Sequence, residues 1–333
     1  MPHRLLVTGA AGFIGARFVE SLAARGAPPP ISVDRGDAFA ARPEHAGVDF
    51  GDIVDMDELF GWLEAQSTEL GGIVHLGACT DTTELDEGFL RRVNLEYSQR
   101  LWQVARARGV PFVYASSAAT YGDGTEGYAD DESKTDRLRP LNPYGESKLR
   151  FDQWALAEAA AGREPPAWSG FKFFNVYGFG ERHKGAMASV VLKAFDQIRK
   201  DGKVRLFRSH HPDYRDGEQK RDFVYVGDVV DVLHFALRKP LRRGIYNLGS
   251  GTARTFLDLV RCVFRELGAE ERIEFVDTPE AIRARYQYFT QADMGRLREA
   301  GYDKPFHSLE EGVHAYVTRL LAPAKTPGAK AQR

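Results

Sequence analysis

The sequence predicts an α/β protein in which helices cover both faces of a doubly wound parallel sheet, with a smaller mixed α/β lobe. Short apolar runs without charge alternate along the first half of the chain with segments whose apolar residues recur at helical spacing. The first of these runs also passes through three glycines before a helical segment begins. The 333 residues are enough for one such domain together with a smaller lobe.

The chain opens with the strongest of these signals. The apolar run 5–7 is followed by Gly9, Gly12 and Gly15 and then by a helical segment at 17–25. Glycines between a strand and a helix permit a tight turn and a close approach of the backbone to a pyrophosphate. The free N–H groups at the helix N-terminus then bind phosphate. The sequence therefore predicts nucleotide binding at this turn.

The second strand, at 31–33, ends in Asp34 and Arg35. An acid about 20 residues after such glycines bonds the ribose hydroxyls of a dinucleotide, whereas a neighbouring arginine accepts a 2′-phosphate. The pair therefore leaves both NAD and NADP open.

Further elements of the same alternation follow, and the carboxyl ends of the strands carry polar or small residues. Ligands of doubly wound sheets bind beyond those ends, where Gly9, Asp34, Gly77 and Ser117 all fall. Asn94, inside a helix, is left open as a cap, a cofactor contact or a solvated residue. The further elements are a short strand and loop at 48–53, a helix at 56–69, a strand at 72–78, a helix at 89–108 and a strand at 110–115.

A tyrosine and a lysine then open the next predicted helix. Tyr144 and Lys148 are four residues apart, so they share one helix face. A phenol with its ordinary pKa of about 10 is a poor base at neutral pH. We expect the ammonium of Lys148, together with a cationic nicotinamide, to lower the pKa of Tyr144. Ser117, at a strand end, can share a substrate oxygen with the tyrosine.

Composition excludes other classes of protein. A net charge of −2 argues against nucleic acid as a partner. No apolar run approaches the roughly 20 residues of a membrane span, and no signal peptide opens the chain. Cys79 and Cys262 lack metal-ligand spacing, so we expect no metal site, no membrane partner and a reducing, cytoplasmic location.

Taken together, the glycine turn, the serine at the end of the fifth strand and Tyr144-x-x-x-Lys148 resemble the extended short-chain dehydrogenase/reductase family. The resemblance implies a Rossmann fold and a catalytic set of Ser117, Tyr144 and Lys148. Ser117 matches better than Ser116 because the stretch 117–122 follows the Ser-x-x-x-Tyr-Gly pattern of the family.

Motifs in the second half narrow this resemblance. From about residue 4 to residue 320 the chain is similar to the nucleotide-sugar epimerases of this family, and in particular to the branch that acts on ADP-heptose. The motifs are Phe173-Phe-Asn-Val-Tyr-Gly178, His183-Lys-Gly-Ala-Met-Ala-Ser-Val190, Lys220-Arg-Asp-Phe-Val-Tyr-Val-Gly-Asp228, Ile245-Tyr-Asn-Leu-Gly-Ser-Gly251, Arg285-Tyr-Gln-Tyr-Phe-Thr-Gln-Ala-Asp293 and Ala300-Gly-Tyr-Asp-Lys-Pro-Phe306.

The resemblance implies an enzyme that inverts C6 of the heptose in the synthesis of a lipopolysaccharide core precursor. It implies NADP as the cofactor, with NAD tolerated, and a homo-oligomer. Tyr144 and Lys184 match the two acid/base residues, on opposite sides of the heptose, and Ser117 and Lys148 support the tyrosine. We expect partial burial to lower the pKa of Lys184 toward neutrality.

The resemblance also implies two sets of contact residues. Arg221 suits a diphosphate on chemical grounds too, because its planar guanidinium binds phosphate through two hydrogen bonds. The cofactor set, with the glycines included, is Gly9, Gly12, Phe13, Ile14, Gly15, Asp34, Arg35, Leu76, Gly77, Ala78, Cys79, Thr80, Asn94 and Lys148. The substrate set is Ser117, Asn175, Val176, Lys184, Ala186, Lys193, Phe207, Arg221 and Tyr286.

Three departures from the family affect these contacts. Ala186 replaces a serine, Leu76 stands where an acid is common, and the segment Ser209–Gln219 is longer and more charged.

The predicted division of the chain places the dinucleotide-binding domain at 1–178, with segments returning to it near 220–250. The substrate-binding lobe takes 179–219 and 251–322, and 323–333 form a flexible tail. Two alternative functions stay open: a 4-epimerase or dehydratase of another nucleotide sugar, and a catalytically silent NAD(P)-binding regulatory protein. Residues 118–120 lack the acid that a dehydratase carries, and the complete serine, tyrosine and lysine set disfavours the silent protein.

Overall fold

The computed structural model describes residues 3–40, 42–66, 68–238, 241, 243–283 and 286–323. Residues 324–333 of the predicted tail and Arg285 of the Arg-Tyr-Gln motif lie outside these ranges. The strands are β1 (Arg4–Thr8), β2 (Ile31–Asp34), β3 (Asp52–Asp55), β4 (Leu70–His75), β5 (Phe112–Ser117), β6 (Trp168–Phe173), β7 (Asn175–Tyr177), β8 (Val204–Phe207), β9 (Lys220–Tyr225), β10 (Gly244–Leu248), β11 (Ala253–Thr255) and β12 (Ile273–Val276).

Helices follow many of these strands. The α-helices are α1 (Phe13–Ala24), α2 (Gly36–Ala40), α3 (Leu59–Ala65), α4 (Glu87–Leu90), α5 (Tyr97–Arg108), α6 (Pro143–Ala160), α7 (Val190–Asp201), α8 (Val226–Arg238), α9 (Phe256–Glu266), α10 (Glu280–Arg283), α11 (Gly295–Glu299) and α12 (Leu309–Leu321). Short 3₁₀ segments lie at Pro43–His45, Ala118–Tyr121, Glu132–Arg137 and Arg182–Met187, and a π-helical turn at Arg91–Glu96.

Seven strands form one parallel sheet in the order β10-β6-β5-β4-β1-β2-β3, which confirms the predicted doubly wound α/β class. The chain starts at β1, moves to β2 and β3 on one side, and crosses back to β4 on the other. The strand order therefore reverses between β1 and β4, where Thr8 pairs with His75. Ligands of open α/β sheets bind in the crevice at such a switch point.

Successive residues of the central strands point to opposite faces, and each face has its own core. Leu5 and Val7 pack in a core that also holds Phe18 of α1, whereas Leu6 packs on the opposite side with Trp102 of α5. This burial on both faces explains why the strands read as uninterrupted apolar runs. No helix within the described ranges has both the length and the apolar composition that a bilayer crossing requires.

The second half of the chain adds two small sheets and a third core. Strands β11, β9 and β7 form one sheet and β12 pairs with β8 in another. Helices α7, α9 and α12 pack beside them around Val191, Leu259 and Val313. The segment predicted to return near 220–250 is shared, because β10 joins the large sheet while β9 lies in the three-stranded one. The division into two domains stays a prediction.

Two predicted elements differ in extent from the observed ones. The helix expected at 56–69 is only α3, because the Asp55 carboxylate accepts hydrogen bonds from the backbone of Gly36 and Asp57 and holds a turn there. The strand expected within 48–53 lies at β3. The helix expected at 89–108 is present but contains the π-helical turn around Asn94. Such turns are frequent at functional sites.

Candidate active site

The glycine turn after β1 forms the floor of the crevice. Gly9 has a φ of +66°, and a Cβ atom on it would lie 2.5 Å from the backbone nitrogen of Gly77, so β1 and β4 approach closely only because a side chain is absent. The Gly12 N–H donates to the Gly9 carbonyl at 2.9 Å, and α1 begins at the next residue with no side-chain cap. The first N–H groups of α1 are thus available for phosphate.

Gly15 also tolerates no side chain, which gives a testable consequence. A Cβ on Gly15 would overlap the carbonyl oxygen of Gly9. We expect Gly15→Ala to lower the melting temperature by several degrees, since overpacking costs about 1–3 kcal/mol, and to release the cofactor. Gly61→Ala is the matched control because it lies in α3 with open space around it. Equal melting temperatures and cofactor content in the two variants would contradict the packing described here.

One acid, at the end of β2, and two arginines that follow it in the chain lie near the glycine turn. Asp34 accepts hydrogen bonds from the backbone N–H of Ala11 at 3.0 Å and of Arg35 at 2.9 Å. The Arg35 side chain is 69% exposed, and Arg42 donates to the Ala11 carbonyl. Burial lowers the pKa of Arg42, and the nearby Asp34 raises it. Sequence reasoning missed Arg42, which is eight residues beyond the strand and belongs to no motif.

Asn94 holds the backbone of the segment that follows β4. The Asn94 amide oxygen accepts from Cys79 N at 2.8 Å, and its nitrogen donates to Cys79 O and to Ser147 Oγ, each at 3.0 Å. Asn94 is 1% exposed, so it holds the backbone of the predicted cofactor segment in place. Of the three interpretations left open, a solvated residue is excluded by this burial.

These residues together fit a nicotinamide dinucleotide. A turn that only glycine can occupy, a helix N-terminus without a side-chain cap, and an acid at the end of β2 are the elements that hold a pyrophosphate and a ribose. The predicted cofactor residues at 9–15, 34–35 and 76–80 follow β1, β2 and β4 at the same edge of the sheet.

Ser117, Tyr144 and Lys148 meet where β5 ends. Asn142 caps α6 by accepting from Gly145 N at 2.8 Å, which places Tyr144 in the first turn of the helix. The Tyr144 phenol is hydrogen-bonded with Ser117, and Lys148 Nζ donates to the Ala115 carbonyl at 2.9 Å.

The neighbouring serine has a different environment. Ser116 is 3% exposed and donates to Asp152 at 2.7 Å. Of the two serines at the end of β5, Ser117 is therefore the one beside the tyrosine.

The pKa of Tyr144 differs from our expectation. Burial raises the pKa of Tyr144 above its usual value, and the hydrogen bond with Ser117 lowers it only in part. Burial lowers the pKa of Lys148 to about 8, against the influence of Asp152. With the protein groups alone, the direction is therefore opposite to the lowering that we expect from Lys148 together with a cationic nicotinamide.

A buried acid and base lie behind this group. Asp152 is fully buried on α6, one turn beyond Lys148, and accepts from Tyr114 at 3.0 Å. Its partner Lys172 on β6 has Nζ 3.9 Å from the carboxylate and lies over the Tyr121 ring. Sequence reasoning missed both residues. The only sequence signal was a charge inside an otherwise apolar strand.

Lys184 lies on the 3₁₀ segment Arg182–Met187, which spans the edge of the crevice. Its Nζ is 5.4 Å from the centre of the Phe13 ring, at the start of α1. At the other end of the segment, Thr82 contacts Met187 Sδ at 3.6 Å, just beyond the predicted cofactor residues 76–80. The Lys184 side chain is 25% exposed, and burial lowers its pKa, as predicted.

Arg221, on β9, lies in a pocket of tyrosines. It is 7% exposed and donates to the carbonyls of Lys220 and Gln287. Burial lowers its pKa, and Tyr286, Tyr128, Tyr214 and Tyr288 surround it. Within the described ranges no carboxylate forms an ion pair with Arg221. A buried guanidinium without a carboxylate is well suited to an anionic ligand.

The longer segment Ser209–Gln219 packs against the tyrosines around Arg221. The rings of His211 and Tyr214 lie 5.0 and 5.3 Å from that of Tyr288, which in turn contacts the Tyr286 ring at 5.2 Å. The segment therefore packs on the residues that surround Arg221 rather than projecting away as a charged loop.

The remaining predicted substrate residues lie on the second half of the chain. Asn175 and Val176 are on β7, which pairs with β9, the strand that carries Arg221. Lys193 Nζ donates to the Ala186 carbonyl at 2.7 Å, so these two are adjacent, whereas Phe207 ends β8 and is 37% exposed. Their roles as substrate contacts stay predictions.

The fold and this edge of the sheet define a short-chain dehydrogenase/reductase type of enzyme, and the comparison with known families agrees. Residues 5–249 match the model of the NAD dependent epimerase/dehydratase family, and the chain belongs to that family. Membership agrees with the predicted nicotinamide cofactor.

Individual relatives narrow the class further. A protein of Nitratidesulfovibrio vulgaris named ADP-L-glycero-D-manno-heptose-6-epimerase is 45% identical, over 96% of this chain and 98% of the relative. The crystal structure of the Helicobacter pylori enzyme of that name has a TM-score of 0.77 at 25% identity, over 96% of this chain and 97% of the other. The Thermus thermophilus UDP-glucose 4-epimerase in complex with NAD has a TM-score of 0.74 at 26% identity, over 95% and 98%. The predicted resemblance to nucleotide-sugar epimerases is confirmed, and the protein is an epimerase.

Proposed function

We propose that the protein inverts C6 of the heptose in ADP-glycero-manno-heptose. The observation that carries this proposal is the meeting of Ser117, Tyr144 and Lys148 beside the glycine turn that fits a dinucleotide. The buried, tyrosine-lined Arg221 supports it, because it suits an anionic group of the substrate. The near full-length relatives named for this activity support the choice of substrate. Cytoplasmic synthesis of a lipopolysaccharide core precursor and self-association of the chain belong to the same proposal.

The substrate is held from the diphosphate end in this proposal. Arg221 takes the diphosphate of the ADP group because its guanidinium is buried and pairs with no carboxylate of the described residues. Tyr286 closes one side of that position, and its ring is 5.5 Å from the guanidinium. The heptose then extends toward Ser117 and Tyr144 at the end of β5.

Two acid/base groups are required by the geometry of the reaction. A tightly bound NADP supplies hydride acceptance and return at C6, so the sugar passes through a 6-keto form. The C6 oxygen points in opposite directions in the two epimers, so one group must accept or donate its proton on each side. Tyr144, steadied by Ser117 and Lys148, serves one side, and Lys184 serves the other.

The proposal is tested by product analysis. The purified protein is incubated with ADP-D-glycero-D-manno-heptose, and the C6 epimer is measured by proton NMR. UDP-glucose and dTDP-glucose are offered in parallel. Accumulation of the C6 epimer to an equilibrium mixture is the expected result. Turnover of only the other nucleotide sugars would replace the proposal by the 4-epimerase or dehydratase alternative, and no turnover of any of them would favour the silent nucleotide-binding protein.

The cofactor gives a separate prediction. Asp34 disfavours a 2′-phosphate, but Arg35 and Arg42 lie beside it and bind one. We expect NADP to co-purify, with NAD accepted when NADP is withheld. Mass spectrometry of the released cofactor measures this directly. Arg42→Met should shift the extracted mixture toward NAD, with Arg100→Met on α5, whose guanidinium lies over the Phe60 ring, as the control. Extraction of NAD alone from the unaltered protein contradicts the prediction.

A further inference from the structure

A fully buried carboxylate lies beneath the segment that carries Lys184. Glu181 immediately precedes the 3₁₀ segment Arg182–Met187, and its side chain is 0% exposed. In the sequence this glutamate lies between two of the motifs, 173–178 and 183–190, and belongs to neither. A buried carboxylate is costly unless hydrogen bonds or a cation compensate it. Its partners therefore indicate what it does.

One set of partners is the start of α7. Ser189 caps that helix and donates to Glu181 from its backbone nitrogen at 2.8 Å and from its hydroxyl at 2.5 Å. A negative charge at a helix N-terminus is also favourable. These two neutral donors fix both carboxylate oxygens in place, but they do not balance the charge.

The balancing cation is Lys184. Its Nζ lies 3.8 Å from Glu181 Oε2, and its backbone nitrogen donates to the Glu181 carbonyl at 3.0 Å. The Glu181 charge raises the pKa of Lys184 against the lowering caused by burial. Within the described ranges, Glu181 is the carboxylate that acts on this amine.

Other groups facing this pair do not replace Glu181. Lys193 of α7 is attracted by Glu181, which raises the pKa of Lys193 against burial, but it is repelled by Lys184, and its amine donates to the Ala186 carbonyl. Burial lowers the pKa of His183 to about 4, so that ring is neutral at pH 7. From α1 the Phe13 ring contacts the amine, and from α12 the neutral phenol of Tyr316 faces Glu181.

We propose that Glu181 is a positioning residue for Lys184, holding the amine at the edge of the crevice and stabilising the ammonium that forms when Lys184 takes the C6 hydroxyl proton. The inference rests on the proposed function of Lys184. When the reaction runs the other way, the ammonium donates that proton to the sugar oxygen and returns to the amine, so the proton moves only between Lys184 and the sugar. Glu181 is held by Ser189 and touches neither sugar nor cofactor in this role.

A purely structural role for Glu181, in which it only holds Ser189, the capping residue of α7, makes a different prediction. Loss of the cap would lower stability but would leave the titration of Lys184 unchanged. Glu181→Gln keeps the shape of the side chain and removes the charge, whereas Glu181→Asp keeps the charge. Asp196→Asn is the matched control, because Asp196 pairs with Arg182 on the same segment and does not touch Lys184.

The titration is measured directly on the full chain with its bound cofactor. Lysines are dimethylated with carbon-13 formaldehyde, their NMR signals are followed against pH, and the Lys184 signal is assigned by its absence from Lys184→Met. In Glu181→Gln we expect the pKa of Lys184 to fall by about one unit or more, since an opposite charge within about 4 Å has been removed. Glu181→Asp should recover most of the shift, and Asp196→Asn should show none.

The pH dependence of epimerisation provides the second readout. Burial lowers the pKa of the Lys184 amine and raises that of the Tyr144 phenol, so we assign the acid limb of kcat/KM to Lys184. The acid limb of kcat/KM should therefore move to lower pH in Glu181→Gln, by about the shift seen in the NMR titration. An unchanged Lys184 titration in Glu181→Gln overturns the inference. An inactive unaltered protein would instead refute the proposed function, and the NMR arm would still decide whether Glu181 and Lys184 are paired.

Discussion

Replacing Tyr144 by phenylalanine is expected to slow epimerisation by about 10²–10⁴-fold, the range typical of general acid–base groups. The phenol is 8% exposed and hydrogen-bonded with Ser117, so phenylalanine fills the same space and removes only the proton that is exchanged. Turnover of the ADP-heptose is followed by NMR, and cofactor content by absorbance. We expect the cofactor to remain bound, because the glycine turn and Asp34 hold it from other strands.

Tyr97→Phe is the matched control for this variant. Tyr97, the first residue of α5, is partly buried and donates to the Met56 carbonyl at 3.2 Å. Its loss should cost about 1 kcal/mol of stability and leave turnover unchanged. Near-normal epimerisation by Tyr144→Phe would remove the tyrosine from the mechanism.

The large sheet could be predicted from the sequence because its strands are buried on both faces. Runs such as 5–7 and 110–115 have no polar alternation, and the intervening helices have ordinary apolar periodicity. The small sheets are different. Their strands β7 and β11 have three residues each and β12 has four, which is too short for a period to show. Their pairing depends on tertiary contacts between distant segments.

Some residues of the candidate site could be predicted from the sequence and others could not. Gly9, Asp34 and Tyr144 were predicted because each lies at a fixed offset from a strand or a helix start. Glu181 and Asp152 were not, because their importance comes from complete burial, and charged residues in a sequence are normally exposed.

The direction in which a pKa shifts is a further property that sequence spacing could not predict. Tyr144 and Lys148 share a helix face as predicted, yet the Lys148 ammonium is engaged with the Ala115 carbonyl and burial dominates the phenol. Desolvation depends on everything packed around a group, and a four-residue spacing contains no information about that.

Replacing Lys184 by methionine is expected to abolish epimerisation while the cofactor stays bound. With Tyr144 alone, only one epimer can lose its hydroxyl proton, because inversion at C6 moves the oxygen to the other side. Methionine keeps the length of the stem and its packing near the Phe13 ring, so the segment Arg182–Met187 should keep its place. Interconversion of the two heptoses should fall by about 10²–10⁴-fold or more.

The partial reaction separates this explanation from a loss of structure. If Lys184 is the second acid/base group, one of the two epimers should still reduce the bound NADP in the Lys184→Met variant, and absorbance of the reduced cofactor would show it. Lys200→Met, at the exposed end of α7, is the control and should behave as the unaltered protein does. Interconversion at the normal rate would show that the reaction uses no proton carrier at Lys184, whereas loss of the cofactor would assign the effect of the substitution to cofactor binding. Reduction by one epimer without formation of the other would leave Tyr144 and Lys184 as the two groups on opposite sides of the sugar.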